Sequence, residues 1–144
     1  MYFNFNVDLL CIFLCICNFN IIFATKISSM ATENEVGRFL QQFFQKAKTF
    51  GLFFRDDRGK NMQTLLDLDI TPKLRKEIIM QLEVSDYVDG PLEDTLYRKG
   101  EMWVFGKDVK HNDVYIKISK GVEGCGAFCI SFHIAEHPLK YKFK

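Results

Sequence analysis

Two apolar segments near the C-terminus carry polar side chains at every second position. They run from Val114 to Ser119 and from Phe128 to Ile134, and a glycine-containing turn at 121–124 separates them. Strand side chains alternate between faces, so the even positions predict one apolar face shared by a hairpin. The odd positions then gather the polar side chains on the other face: Tyr115, Lys117, Ser119, Ser131 and His133. A phenol, an ammonium group and an imidazole together can move protons and bind a phosphate group.

Composition sets wide limits on the function. The chain has 144 residues, of which 48% are apolar, so it can bury one core and is expected to form one domain. Its 19 basic and 18 acidic residues give a net charge of +1, so a nucleic acid would have to be met by a local basic patch. After residue 29 the only cysteines are Cys125 and Cys129, and no histidine pair completes a metal-binding pattern. We therefore expect no metal, and reduced cysteines typical of a cytoplasmic protein.

Residues 1–29 differ sharply from the rest, because they contain only one acid, Asp8, and one base, Lys26. A transmembrane helix needs about 20 apolar residues, and the stretch 7–24 comes close but contains Asp8 and two asparagines. A secretory signal would need basic residues before its apolar stretch, and none precede it here. The third interpretation is a start codon assigned too far upstream, since Phe, Ile and Asn have A/T-rich codons. We favour this interpretation, with Met30 as the start, residues 30–144 as the folded domain and no membrane segment.

The remaining sequence predicts the elements that position the polar face. Thr32 and Glu35 form a capping-box pattern, and apolar residues at steps of three and four predict a helix that ends near Gly51. Thr71-Pro72 is typical of a second helix start. Residues 52–54 predict a short edge strand and 61–66 a short helix, whereas the acidic segment 85–91 is predicted to be a turn-rich connector. Strands are predicted over roughly 101–108, 113–120 and 126–135. Helices followed by an antiparallel sheet indicate an α+β fold.

Four features in this part of the chain carry a family resemblance: Asp86-Tyr87, Trp103, the strand Asp113–Ile118, and Ile130-Ser131-Phe132 followed by a basic residue. Over about residues 60 to 135 the chain resembles the motility quorum-sensing regulator (MqsR) toxins. These belong to the RelE-like group of bacterial type II toxin–antitoxin systems. The resemblance implies a RelE-like α+β fold and an mRNA endoribonuclease that needs no metal or cofactor. It also implies inhibition of translation and growth, and control by a cognate antitoxin similar to MqsA.

The resemblance also assigns roles to the polar face. The catalytic tyrosine of the family corresponds to Tyr115, and the lysine two positions later corresponds to Lys117. The terminal catalytic lysine is replaced by His133, and histidine can serve as a general acid or base. The glutamine and the lysine that the family has elsewhere correspond to Val104 and Val88. The groups expected to bind RNA or its phosphates are Lys107, Lys99, Trp103 and Ser131.

Such a surface could direct a ribose 2′-hydroxyl to attack the adjacent phosphate. The step needs a base, an acid and a cation that holds the developing charge, and it cuts RNA but not DNA. A non-catalytic module that binds RNA or a protein with the same face is the alternative. A periplasmic or membrane-anchored protein stays open if residues 1–29 are translated. The basic tail 140–144 could contact RNA phosphates, but the tail and His137 are expected to be a solvated terminus.

Overall fold

Helices and strands segregate along the chain in the computed structural model, which describes residues 30–57, 59–94 and 100–144. The elements are α1 (Glu33–Phe50), β1 (Leu52–Phe54), α2 (Gly59–Asp67), α3 (Pro72–Met80), a 3-10 turn (Val84–Asp86), β2 (Tyr87–Glu93), β3 (Glu101–Val109), β4 (Asn112–Ser119) and β5 (Ala127–Ile134). The strands form one sheet in the order β1-β5-β4-β3-β2. The predicted α+β class is confirmed. The prediction of an antiparallel sheet is corrected, because β1 pairs with β5 in parallel and the sheet is mixed.

The predictions for residues 1–29 and for Lys99 lie outside the described residues. Within the described residues, every helix is too short or too polar to cross a membrane.

Both predicted helix starts are present. The Thr32 hydroxyl accepts a hydrogen bond from the Glu35 backbone N–H at 3.3 Å, and the Glu35 carboxylate accepts one from the Thr32 backbone N–H at 2.8 Å. This capping box satisfies two backbone donors at the start of α1, and its hydrogen bonds lower the pKa of Glu35. The Thr71 hydroxyl accepts from the Leu74 N–H at the start of α3.

Helix α1 covers one side of the sheet, which we call the core face. Its Phe39 ring stacks on Trp103 with a centroid distance of 4.5 Å and an interplanar angle of 15°. Phe39 also stacks on Phe105, two residues along β3. The side chains of Ile116 and Phe132 on β4 and β5 complete this face and have no exposed surface. The alternate side chains of the same strands lie on the opposite side of the sheet, which we call the groove face.

A β-bulge interrupts β5 and changes which of its residues reach the core. Lys117 pairs with Ser131, but the next residue of β4, Ile118, pairs with Cys129, so Ile130 is the extra residue. The expected apolar face included Phe128 and Ile130, and this expectation is wrong upstream of the bulge. Cys129 is fully buried instead, and Phe128 turns to the groove face, where it contacts Phe53 at 5.7 Å between ring centroids.

The predicted connector 85–91 is mostly an edge strand, β2. Its glycine and proline are compatible with a strand because β2 pairs on one side only, so Pro91 removes no hydrogen bond from the sheet interior. Gly90 has a φ of 127°. A Cβ atom at Gly90 would lie 3.1 Å from the Met102 carbonyl oxygen and 3.2 Å from the Trp103 Cα. The glycine therefore lets β2 approach β3 closely.

Candidate active site

A groove of about 850 Å³ opens on the groove face of the sheet. Its floor consists of Tyr115 and Lys117 on β4 and of Ser131 and His133 on β5. The start of α2 forms one wall, and the segment 135–142 together with the start of β2 forms the other. The hairpin register therefore brings together all three residues predicted to be catalytic, with Ser131 beside them.

Tyr115 and His133 lie directly opposite each other in the β4–β5 ladder. Their rings stack with a centroid distance of 5.1 Å and an interplanar angle of 19°. Lys117 and Ser131 form the next pair on the same face, and the Lys117 Nζ lies 5.7 Å from the centre of the Tyr115 ring. A phenol, an imidazole, an ammonium group and a hydroxyl thus share the floor of the groove.

A backbone contact orients the imidazole of His133. Its Nδ1 lies 2.9 Å from the carbonyl oxygen of Ile134. A carbonyl oxygen can only accept, so in this arrangement Nδ1 carries the hydrogen and Nε2 holds the lone pair of the neutral ring. The free nitrogen is the one that can take a proton from a bound molecule.

Asn61, at the start of α2, fixes the course of β5 around the bulge. Its Nδ2 donates to the carbonyl oxygens of Arg55 at 2.7 Å and of Ile130 at 3.3 Å. Its Oδ1 accepts from the Phe132 N–H at 3.0 Å. The side chain is 3% exposed. Asn61 therefore replaces the strand neighbour that β5 lacks beyond the end of β1, and it holds the backbone on both sides of Ser131.

The chain after β5 is anchored, which corrects the prediction of a solvated terminus. The Tyr141 hydroxyl donates to the Asp113 carboxylate at 3.1 Å, and the Lys142 N–H donates to the Tyr87 carbonyl oxygen at 3.1 Å. Phe143 stacks on the Tyr87 ring at 5.5 Å. Burial, with help from the neighbouring Asp113, raises the pKa of Tyr141 to about 12.

Gly106 on β3 provides the space for this tail segment. A Cβ atom at this position would lie 2.7 Å from the Tyr141 Oη and would also meet the side chain of Leu139. Gly106 pairs with Tyr115 across the β3–β4 ladder. The tail therefore crosses the groove face immediately beside the candidate catalytic pair.

The groove carries an excess of positive charge. Lys117, Lys140 and Lys142 line it, and the described part of the chain places no carboxylate within ion-pair distance of any of them. Lys60 also lines the groove, and its ammonium group pairs with the Glu136 carboxylate. The hydrogen bond and charge of Lys60 lower the pKa of Glu136, and the nearby His133 and His137 lower it further. An anionic ligand matches this charge distribution better than a cation does.

Two residues predicted to bind RNA lie outside the groove. Trp103 is 5% exposed and packs in the core against Phe39, so its ring does not lie on the surface where RNA is expected to bind. Lys107 lies on the same face of β3 as Trp103 and Phe105, which is the core face. Its Nζ forms an ion pair with the Asp86 carboxylate, 2.7 Å from Oδ2. It therefore does not supply the positive charge that the family's lysine carries at the position of Val88. Ser131 does lie in the groove, as predicted.

Sequence reasoning missed the walls of the groove. The missed residues are Lys60, Asn61, Glu136, His137, Lys140 and Lys142. One available signal was the alternation of apolar and basic residues from Leu139 to Lys144. This alternation is typical of an extended segment lying on a surface, and in the structure the apolar members are half-buried and the lysines exposed.

Comparisons with protein-family models, curated proteins and solved structures found no match to this chain. The described residues contain no group of three or more His, Cys, Asp or Glu side chains that could hold a metal ion. The chemistry of the groove residues therefore carries the functional argument.

Proposed function

We propose that this protein is a metal-independent endoribonuclease of the RelE-like toxin type, which cleaves mRNA and thereby inhibits translation and growth. The observation that carries the proposal is the stacked Tyr115–His133 pair beside Lys117, in a groove with excess positive charge. The resemblance to MqsR toxins supports the same activity at Tyr115 and Lys117, with His133 in place of the family's terminal lysine. It also supports a RelE-like fold, a cytoplasmic location and a cognate antitoxin as the inhibiting partner.

In this proposal the RNA backbone lies along the groove, with one phosphate above the floor. Lys117 and the Ser131 hydroxyl hold its non-bridging oxygens, and Tyr115 orients it through its hydroxyl. His133 takes the proton of the ribose 2′-hydroxyl through Nε2, because Nδ1 faces the Ile134 carbonyl oxygen. A correctly placed general base contributes about 10²–10⁴-fold to such a rate. DNA has no 2′-hydroxyl and would not be cleaved.

The test is cleavage of RNA by the purified full-length chain in EDTA, with the new RNA ends mapped. We expect cleavage by wild type and a loss of about 100-fold or more in His133→Ala. We also expect a clear loss in Tyr115→Phe and Lys117→Ala. His111→Asn is the matched control, because His111 is exposed in the β3–β4 turn with a φ of 65° that asparagine tolerates. Intact RNA with folded wild type, or cleavage that survives all three substitutions, would reject the proposal.

A second candidate is a non-catalytic RNA-binding module, favoured by Val88 and Val104 at positions where the family has polar groups. Val88 lines the groove, and neither valine can donate a hydrogen bond to a base or phosphate from its side chain. Binding of RNA by wild type without cleavage, lost in Lys117→Ala, would support this candidate over the enzyme.

A further inference from the structure

The proposed cleavage needs two proton transfers, but the groove floor supplies one imidazole. One group must take the proton of the 2′-hydroxyl, and another must protonate the 5′ oxygen as its bond to phosphorus breaks. His133 can do only one of these in a single step. Histidine is the side chain whose ordinary titration lies nearest to neutrality, so a second imidazole suits the other transfer better than a phenol does.

A second imidazole does line the groove, at His137. The chain between the two histidines is fixed, because the Ala135 N–H donates to the Asp113 carbonyl oxygen at 2.8 Å and Glu136 pairs with Lys60. Tyr141 anchors the chain on the other side of His137 through its bond to Asp113. His137 therefore belongs to a segment tied down at both ends, although its own side chain is exposed to the groove and solvent.

His133 and His137 line the same groove, and His137 directly follows Glu136 in the chain. Both histidines contribute to the lowered pKa of Glu136, in addition to the larger effect of Lys60. The other charged groups that line the groove are three lysines and Asp89, whose Oδ1 accepts from the Gly90 N–H at 2.9 Å. The groove therefore contains two imidazoles and an excess of lysines, which suits a phosphate.

We propose that His137 is a further catalytic residue, the general acid that protonates the leaving 5′ oxygen while His133 acts as the general base. This inference rests on the proposed function. The O2′–P bond forms and the P–O5′ bond breaks. The 2′-hydroxyl proton passes to neutral His133, and the His137 imidazolium gives its proton to the 5′ oxygen. The products are a 2′,3′-cyclic phosphate and a 5′-hydroxyl end.

The test uses a leaving group that needs no proton. Two RNA oligonucleotides carry the site that wild type cleaves, one with the natural 5′ oxygen at the scissile bond and one with sulfur in its place. Thiolate is a far weaker base than alkoxide, so it leaves without a general acid. We expect His137→Ala to lose about 100-fold in kcat/KM on the oxygen substrate, but to cleave the sulfur substrate nearly as fast as wild type. We expect His133→Ala to be impaired on both substrates, and His111→Asn on neither.

Each outcome is decisive. A wild type that cleaves no RNA rejects the proposed function and this inference with it. If wild type cleaves the oxygen substrate, equal impairment of His137→Ala on both substrates, or no impairment on either, overturns the inference alone. Thermal unfolding of His137→Ala should match that of wild type, because the side chain is exposed, and this comparison separates chemistry from folding.

Discussion

Replacing Asn61 by alanine tests whether α2 holds β5 in the conformation that builds the groove. The substitution removes three hydrogen bonds, which are the two donated by Nδ2 and the one accepted by Oδ1. The Phe132 N–H is buried and loses its acceptor. The carbonyl oxygens of Arg55 and Ile130 lose a donor but are less deeply placed.

The expected cost follows from these contacts. A hydrogen bond contributes about 0.5–1.5 kcal/mol net, and a buried group left without a partner costs about 1–3 kcal/mol. We therefore expect Asn61→Ala to lower the free energy of unfolding by about 3 kcal/mol. With a urea m-value of about 1.5 kcal/mol/M, the unfolding midpoint would fall by about 2 M.

Urea denaturation of three variants measures this effect. Asn61→Asp keeps an acceptor for the Phe132 N–H but turns a buried carboxylate oxygen toward the carbonyl oxygens of Arg55 and Ile130, so its stability should fall at least as far as that of Asn61→Ala. Gln63→Ala is the matched control on the same helix, since Gln63 is exposed and its side chain donates to the exposed Asp67, and its effect should stay within about 0.5 kcal/mol. A loss below about 1 kcal/mol in Asn61→Ala would refute the reasoning, because the three bonds would then carry little net energy.

Three further predictions concern the tail, the thiols and the salt bridge. Gly106→Ala should displace the tail and lower RNA cleavage, because its Cβ would clash with two tail side chains; limited proteolysis should then cut the tail first. Maleimide should label exposed Cys125 but not Cys129, because burial raises the pKa of the Cys129 thiol to about 12; peptide mass spectrometry distinguishes the two. Lys60→Ala should raise the lowered pKa of Glu136, as measured by carboxyl NMR titration. The pKa of Glu136 is lower in the folded protein than in the unfolded chain, so the pair should stabilise the fold at pH values above the ordinary carboxyl pKa. This stabilisation should be lost as the pH falls through the lowered pKa.

The results that would contradict these predictions differ. A Gly106→Ala protein with full activity and a protected tail would show that β3 or the tail shifts enough to accommodate the methyl group. Labelling of Cys129 in native protein at the rate of Cys125 would contradict its burial. An unchanged Glu136 titration in Lys60→Ala would mean that Lys60 does not hold this carboxylate in solution.

Local signals in the sequence were sufficient to predict where the helices begin. Thr32 and Thr71 begin helices because their hydroxyls reach backbone N–H groups three residues ahead, and such contacts depend on neighbouring residues alone. The predicted edge strand 52–54 is also present, but no local signal indicates that it pairs with β5 in parallel. That pairing depends on residues more than 70 positions apart.

The sequence could not predict features that depend on distant contacts. The segment containing Gly90 and Pro91 has the composition of a turn, yet it is a strand because β3 lies beside it. For the candidate site, the alternating pattern correctly predicted that Tyr115, Lys117 and His133 share a face. The RNA contacts expected for Lys107 and Trp103 did not rest on this pattern, and the structure places both residues on the core face of β3.

The bulge at Ile130 has a consequence for changes in chain length. Deleting a residue from a central strand normally turns every residue beyond it to the opposite face. Deletion of Ile130 is different, because Cys129 and Ser131 already pair with consecutive residues of β4. The shortened strand would keep Phe132 in the core and His133 in the groove, whereas deletion of Phe132 would invert the faces of β5 beyond that point. Length variation in β5 is therefore compatible with an intact groove at this position.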